Sequence, residues 1–225
     1  MFLLATAMAA CITHTSVHRK NQFIVAKQLL ANLNAATLFL QEWLQRPQQI
    51  GAIVPSSKNL AAAMADWLPA DPDEFVLELG PGTGSVTQAL FGRGLRQDRL
   101  IAIEQSPKMA ELLRSRFPRA HIIEGDAWEL DTLLVKHLRH VERVGTVLSS
   151  LPLRNFSAAE AGSLAQKISR VLKPEGRWVQ YSYHLGNGHP NGACQFELRN
   201  TDVVWWNLPP ARVNVYEKPA ACRAA

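Results

Sequence analysis

Residues 75–90, FVLELGPGTGSVTQAL, carry an apolar strand-like run into three glycines and then resume at helical spacing. A turn of this kind lets a ligand approach the main chain at the end of a strand. It also constrains the fold, because it needs a strand behind it and a helix in front. Strands are predicted near 74–79, 99–104, 120–124, 143–148 and 176–183, with helices near 84–92, 107–117, 127–138 and 157–172. Short strands near 201–207 and 211–217 follow. Repeated strand-to-helix steps of this length predict an α/β fold, a doubly wound and mainly parallel sheet with helices on both faces.

Upstream, Phe23, Leu30, Leu33, Leu40, Trp43 and Leu44 recur at helical spacing, predicting an amphipathic helix over about 21–45. Arg19, Lys20 and Lys27 lie in or before it, and no acid precedes Glu42. Such an arm either packs on the domain or lies on an anionic membrane surface. Next, GAIVPSSKNLAAAMADWL predicts a turn, a serine N-cap at Ser56 or Ser57, and a helix ending near Pro69. The expected organisation is a tail and arm over 1–50, a catalytic domain over 51–218 and a short tail over 219–225.

The chain has 24 Lys and Arg against 19 Asp and Glu, a net charge of +5. That favours anionic partners but lacks the charge density of a dedicated nucleic-acid binder. Cys11, Cys194 and Cys222 are scattered in neither a disulfide framework nor a zinc spacing, consistent with a cytoplasmic protein that binds no metal. The opening MFLLATAMAAC ends in small residues like a signal but has no basic residue ahead of its apolar run. A loosely ordered tail or an early start codon is the expectation there.

Three ligands compete for the glycine turn. A triphosphate loop needs Gly-Lys-Ser/Thr, and here Ser85 follows Gly84 with no lysine near. A dinucleotide turn spaces its glycines G-x-G-x-x-G, whereas this chain has G-x-G-x-G preceded by Glu78. Glu104 closes the second strand and suits ribose hydroxyls in either remaining ligand. The third strand ends EGDAW, where Asp126 serves equally as an adenine acceptor or a helix N-cap.

Together, E-L-G-P-G-T-G, Glu104 and Gly-Asp-Ala resemble the class I S-adenosylmethionine-dependent methyltransferases, with a Rossmann-like seven-stranded sheet. The resemblance implies S-adenosyl-L-methionine as cofactor. It places Glu78, Gly80, Pro81, Gly82, Thr83 and Gly84 by the methionine part, Glu104 and Gln105 by the ribose, Gly125, Asp126 and Ala127 by the adenine, and Ser149 nearby.

The methyl acceptor is read after the fourth strand, at Ser149-Ser150-Leu151-Pro152-Leu153. Relatives that methylate base amines carry an Asn/Asp-Pro/Leu-Pro-aromatic tetrapeptide here, which grips the amine and stacks the extruded base. This chain has neither amide nor ring, which argues against a nucleic-acid substrate. SSLPL, FLQEWLQRPQQIGAIVPSS, VQYSY and NLPPARVNVYEK are together similar to the bacterial phospholipid N-methyltransferases, kin of the rRNA adenine dimethyltransferases.

That resemblance implies methylation of phosphatidylethanolamine towards phosphatidylcholine by a peripheral protein at the inner face of the cytoplasmic membrane. Ser150 and Leu151 are expected to offer carbonyls to the amine, and Tyr181, Tyr183 or His184 to take its proton. Gly51, Pro55, Ser56 and Ser57 would close over the head group, the helix start behind them suiting a phosphate or carboxylate. The segment 184–200 departs from the family and leaves the head group open. An rRNA adenine or small-amine methyltransferase and a catalytically dead binding module are the alternatives.

Overall fold

The computed structural model describes residues 57–137, 144–183, 195–207 and 209–220. The expected arm over 21–45, together with Gly51, Pro55, Ser56 and His184, lies outside these residues.

Seven strands form one sheet: β1 (Phe75–Leu79), β2 (Leu100–Glu104), β3 (His121–Glu124), β4 (Val144–Ser149), β5 (Leu172–Ser182), β6 (Glu197–Val204) and β7 (Ala211–Glu217). Their order is β3-β2-β1-β4-β5-β7-β6. The first five run parallel, and β7 is antiparallel to both β5 and β6. Connections leave β1 towards β2 and β3 on one side and towards β4 and β5 on the other. The crevice at this reversal is where an open sheet of this kind binds its ligand.

Five helices cover the sheet: α1 (Lys58–Ala65), α2 (Ser85–Gly92), α3 (Pro107–Arg116), α4 (Leu130–His137) and α5 (Ala158–Val171). Local chemistry sets their starts. Ser57 caps α1 by accepting the Leu60 N–H, so it is the second serine of the pair that begins the helix. Ser106 caps α3 ahead of Pro107, and Ser157 forms a capping box with Glu160 at α5. The helix expected over 127–138 opens instead as a 3-10 turn at Ala127–Glu129, with Asp126 at its cap.

The sheet divides the core. Leu77, Leu79, Ile101, Ile103 and Trp178 pack against α4 and α5. Val76, Leu100, Leu148, Val179 and Val213 pack against α1 and α2. Central strands buried on both faces read as continuous apolar runs, and β2 (LIAIE) and β4 (VGTVLS) are buried at every position.

Two strand boundaries differ from expectation. β5 starts at Leu172, directly after α5, because Leu172 already pairs with Val144 across an irregularity in the register. β6 occupies 197–204 rather than 201–207, and Trp205 to Asn207 form a turn. Its solvent-facing sequence ELRNTDVV carries no buried alternation from which a start is readable.

Candidate active site

Strand register brings the expected site residues to one end of the sheet. Leu79 lies opposite Ile103 and Ser149, and Ser149 lies opposite Gln180. Glu104 pairs with Glu124, the residue before Gly125. Gly80, Gln105, Gly125 and Ser150 therefore leave the carboxyl ends of four adjacent strands, with Tyr181 of β5 beside Ser150.

The glycine turn is fixed by conformation and by contact. Gly80, Gly82 and Gly84 have φ of 67°, 56° and 82°, in the left-handed region that disfavours other side chains. A Cβ on Gly80 would come within 2.9 Å of Leu151 Cδ2, and one on Gly84 within 2.9 Å of Leu113 Cδ2. Gly82 differs, because a Cβ there would meet nothing within 4 Å. Its side is open, as a ligand approaching the main chain requires. Pro81 is buried, and the Thr83 carbonyl accepts a hydrogen bond from the Arg116 guanidinium.

Three acids stand at the ends of the first three strands, each held differently. Glu78 is fully buried on the α2 face, where Thr87 Oγ1 donates to its Oε2 at 2.7 Å. Its Oε1 is buried and receives no hydrogen bond. Burial, with a smaller contribution from the nearby Glu104 charge, raises the Glu78 carboxyl to about 7. Glu104 Oε2 accepts the Gly82 N–H at 2.8 Å, and Oε1 accepts the Ser106 N–H at 2.9 Å. Asp126 Oδ1 accepts the Trp128 N–H at 2.9 Å, which satisfies the cap and leaves the second oxygen outside that bond.

The turn after β4 corrects one expectation. Gln180 Nε2 and the Leu153 N–H both donate to the Leu151 carbonyl, each at 2.9 Å. Both lone pairs are used, so Leu151 cannot also receive amine hydrogens. The Ser150 carbonyl receives neither bond, while the Ser150 N–H ties the turn to the Leu79 carbonyl. Buried Ser149 accepts the Leu151 N–H through its hydroxyl. Leu153, at the aromatic position of base-methylating relatives, is buried in the core and presents no stacking face.

Gln180 is the residue that sequence reasoning missed. Its Nε2 also donates to the Tyr181 carbonyl at 2.8 Å, and its buried Oε1 has no donor. The side chain is 4% exposed and sits beside the acceptor turn. The VQYSY stretch drew attention to the tyrosines and passed over the glutamine between Val179 and Tyr181.

Tyr183 is disfavoured as a proton acceptor. Tyr181 and Tyr183 pack edge to face at 5.4 Å against the α1 and α2 side, on the opposite face of β5 from Gln180. Burial pushes the Tyr183 phenol up, and its bonds to Asn207 and Tyr181 only partly oppose this. A phenol shifted that way is a poorer base near neutrality. Asn207, also unforeseen, accepts the Ser57 N–H at 3.3 Å. The Ser57 amide is thus committed within the protein, whereas its hydroxyl accepts the Leu60 N–H and keeps its own O–H as a donor at this helix start.

The strand order, the glycine turn and an acid at the end of each of the first three strands define a methyltransferase of the class I type. A family model described as a methyltransferase domain matches residues 76–176. Over 182 residues the chain is 33% identical to the ornithine lipid N-methyltransferase of Singulisphaera acidiphila, covering 77% of this chain and 91% of that relative. It is 41% identical over 93 residues to the ribosomal RNA small subunit methyltransferase A of a Synechococcus species, covering 39% of this chain and 29% of that one.

Among solved structures, a TehB-like S-adenosylmethionine-dependent methyltransferase of Corynebacterium glutamicum superposes with a TM-score of 0.52 at 19% identity. The match covers 83% of this chain and all of that one. TrmN of Thermus thermophilus gives 0.57 at 22% identity, over 71% of this chain and 48% of that one. The chain belongs to the S-adenosylmethionine-dependent methyltransferases.

S-adenosylmethionine is the cofactor, and the residues fit it. The unsatisfied Glu78 oxygen suits a cationic ligand, Gly82 is open on one side, and Glu104 and Asp126 lie at neighbouring strand ends. Bound there, the cofactor supplies a methyl group on a sulfonium centre. The chain's part is to hold an acceptor atom in line with it.

Proposed function

We propose that this chain methylates the head-group amine of a membrane lipid, working at the cytoplasmic face of the membrane. The observation that carries the reading is the Ser149–Leu153 turn. It has no amide, acid or ring with which to grip and stack a base, and Leu153 is withdrawn into the core. A small aliphatic amine needs only a hydrogen-bond acceptor at this place. The Ser150 carbonyl and Gln180 Oε1 are groups of that kind. A lipid supplies the rest of its binding energy outside the cleft, through chains that stay in the bilayer. The relative named for an ornithine lipid, matched over most of its length, supports an amine of this class.

Phosphatidylethanolamine and an ornithine lipid share the relevant chemistry, a primary amine on a lipid that also carries a polar head. Among the described residues no helix is long and apolar enough to cross a membrane, and the basic arm expected over 21–45 would supply surface attachment. The test is incubation with labelled S-adenosylmethionine and separate vesicles containing each lipid, with free ethanolamine and RNA as further arms. Label in one lipid supports the reading and identifies the head group. Label in RNA with both lipids untouched overturns it.

A further inference from the structure

We propose that Trp205 and Trp206 form an interfacial anchor that seats the active-site end of the sheet on a lipid bilayer. The inference rests on the lipid-substrate reading above and adds a contact surface within the folded domain. The two indoles are 66% and 88% exposed. The other large apolar side chains exposed among the described residues are the single aliphatics Leu112, Val135 and Leu198. By contrast Trp178 is fully buried, and Trp128 stacks on Phe156 at 4.4 Å. Two adjacent rings left in water are unfavourable unless something covers them, since each indole has roughly 150–250 Å² to bury.

Their place in the fold identifies what covers them. Val204, the last residue of β6, pairs with Ala211, and Arg212 of β7 pairs with Ser182 at the end of β5. The tip between β6 and β7 therefore projects from the same end of the sheet as the glycine turn, Ser150 and Gln180.

The tip is also fastened. Asn207, 3% exposed, accepts the Ser57 N–H and donates to the Pro209 carbonyl at 2.6 Å. The Asn59 side chain donates to the Trp206 carbonyl at 3.3 Å. The main chain is thus tied to the start of α1 while both indoles stay outside.

Chemistry narrows the partner to a lipid interface. An indole pairs an apolar body with one N–H, the combination enriched where membrane meets water. The tip sequence VVWWNLPPA, 203–211, carries no charge that would resist leaving bulk water. Exposed Lys58 adjoins Asn59 at its base and complements anionic head groups. An amine held in a bilayer would then meet the cleft without its chains leaving the membrane.

The test compares the full-length protein with its Trp205→Ser/Trp206→Ser variant on vesicles of phosphatidylglycerol and phosphatidylethanolamine in equal parts. Partition should fall roughly tenfold or more, at high salt as well as low, because the lost term is apolar. Brominated acyl chains should quench wild-type emission well beyond that of the variant. Cofactor affinity by calorimetry should be the same in both, since both side chains are on the surface. Equal partition and equal quenching would overturn the anchor. A self-association seen by sedimentation and lost in the variant, with vesicle binding unchanged, would also overturn it and assign the pair to a second copy of the chain. The two readings fail separately. Vesicle binding that depends on the pair without lipid methylation removes only the substrate, whereas lipid methylation with binding indifferent to the pair removes only the anchor.

Discussion

The Glu104 carboxylate is bonded to the glycine turn itself, accepting the Gly82 N–H at 2.8 Å while its other oxygen accepts the Ser106 N–H at 2.9 Å. One side chain at the end of β2 therefore holds the floor of the cofactor site and the start of α3. Each oxygen keeps a lone pair, and one of them is expected to accept a ribose hydroxyl of the cofactor.

Glu104→Gln tests this link with almost no change in volume. The amide has one oxygen for two main-chain donors, so either Gly82 or Ser106 would face an NH₂ group. Loss of a charged acceptor costs about 1.5–3 kcal/mol, which corresponds to roughly ten- to hundredfold weaker S-adenosylmethionine binding. Calorimetric titration checks it, and an unchanged Kd in a folded variant would remove Glu104 from the site.

Asp126 carries two roles that substitution separates. Asp126→Ala should lose the cap on the Trp128 N–H, at about 0.5–2 kcal/mol of stability, together with cofactor affinity. Asp126→Asn should keep the cap through its carbonyl oxygen and so melt near the wild-type temperature. Its other end is then a donor where the adenine amino group needs an acceptor, so affinity falls. Paired melting and binding curves distinguish the variants.

The glycine turn and the strand ends around it were legible because strand ends and left-handed turns leave marks in sequence. Three glycines at alternating positions and acids closing apolar runs are consequences of local backbone geometry. The acceptor half depends on tertiary neighbours. That the Leu151 carbonyl is already taken follows from Gln180, 29 residues away, and no local pattern announces that bond. The same holds for Asn207, which spans 150 residues to reach Ser57. The edge strand β6 was misplaced towards Trp205 and Trp206 because aromatic residues favour strands. In the fold these two sit on an exposed turn.

Glu78 makes stability depend on pH. Its carboxyl is raised from its ordinary 4.5 to about 7 by burial, so the native state holds a proton that the unfolded chain has released. The sign follows: the contribution is fully present below about pH 4.5 and is lost as pH rises through about 7. The full difference is about 3 kcal/mol. Without cofactor, the melting temperature should fall between about pH 4.5 and about pH 7, and Glu78→Gln should flatten that slope. A cationic cofactor favours ionised Glu78, so its stabilising effect should grow over the same interval. Thermal scans across pH with and without S-adenosylmethionine provide the measurement.

Gln180 is expected to position the amine, and the number of N–H groups on the substrate tests it. Gln180→Leu removes the buried Oε1 acceptor while the Leu153 N–H still holds the Leu151 carbonyl. A neutral primary or secondary amine has a hydrogen to give that oxygen, whereas a neutral tertiary amine has none. Methyl transfer to unmethylated and monomethylated phosphatidylethanolamine should therefore slow in the variant by roughly tenfold, the worth of one hydrogen bond of about 0.5–1.5 kcal/mol at its upper end. Transfer to the dimethylated lipid should change little, and cofactor Kd should not change. A merely structural glutamine would slow all three acceptors alike, because a displaced turn misaligns any nitrogen with the methyl group. Equal losses across the series would assign Gln180 to the fold and leave the Ser150 carbonyl to orient the amine.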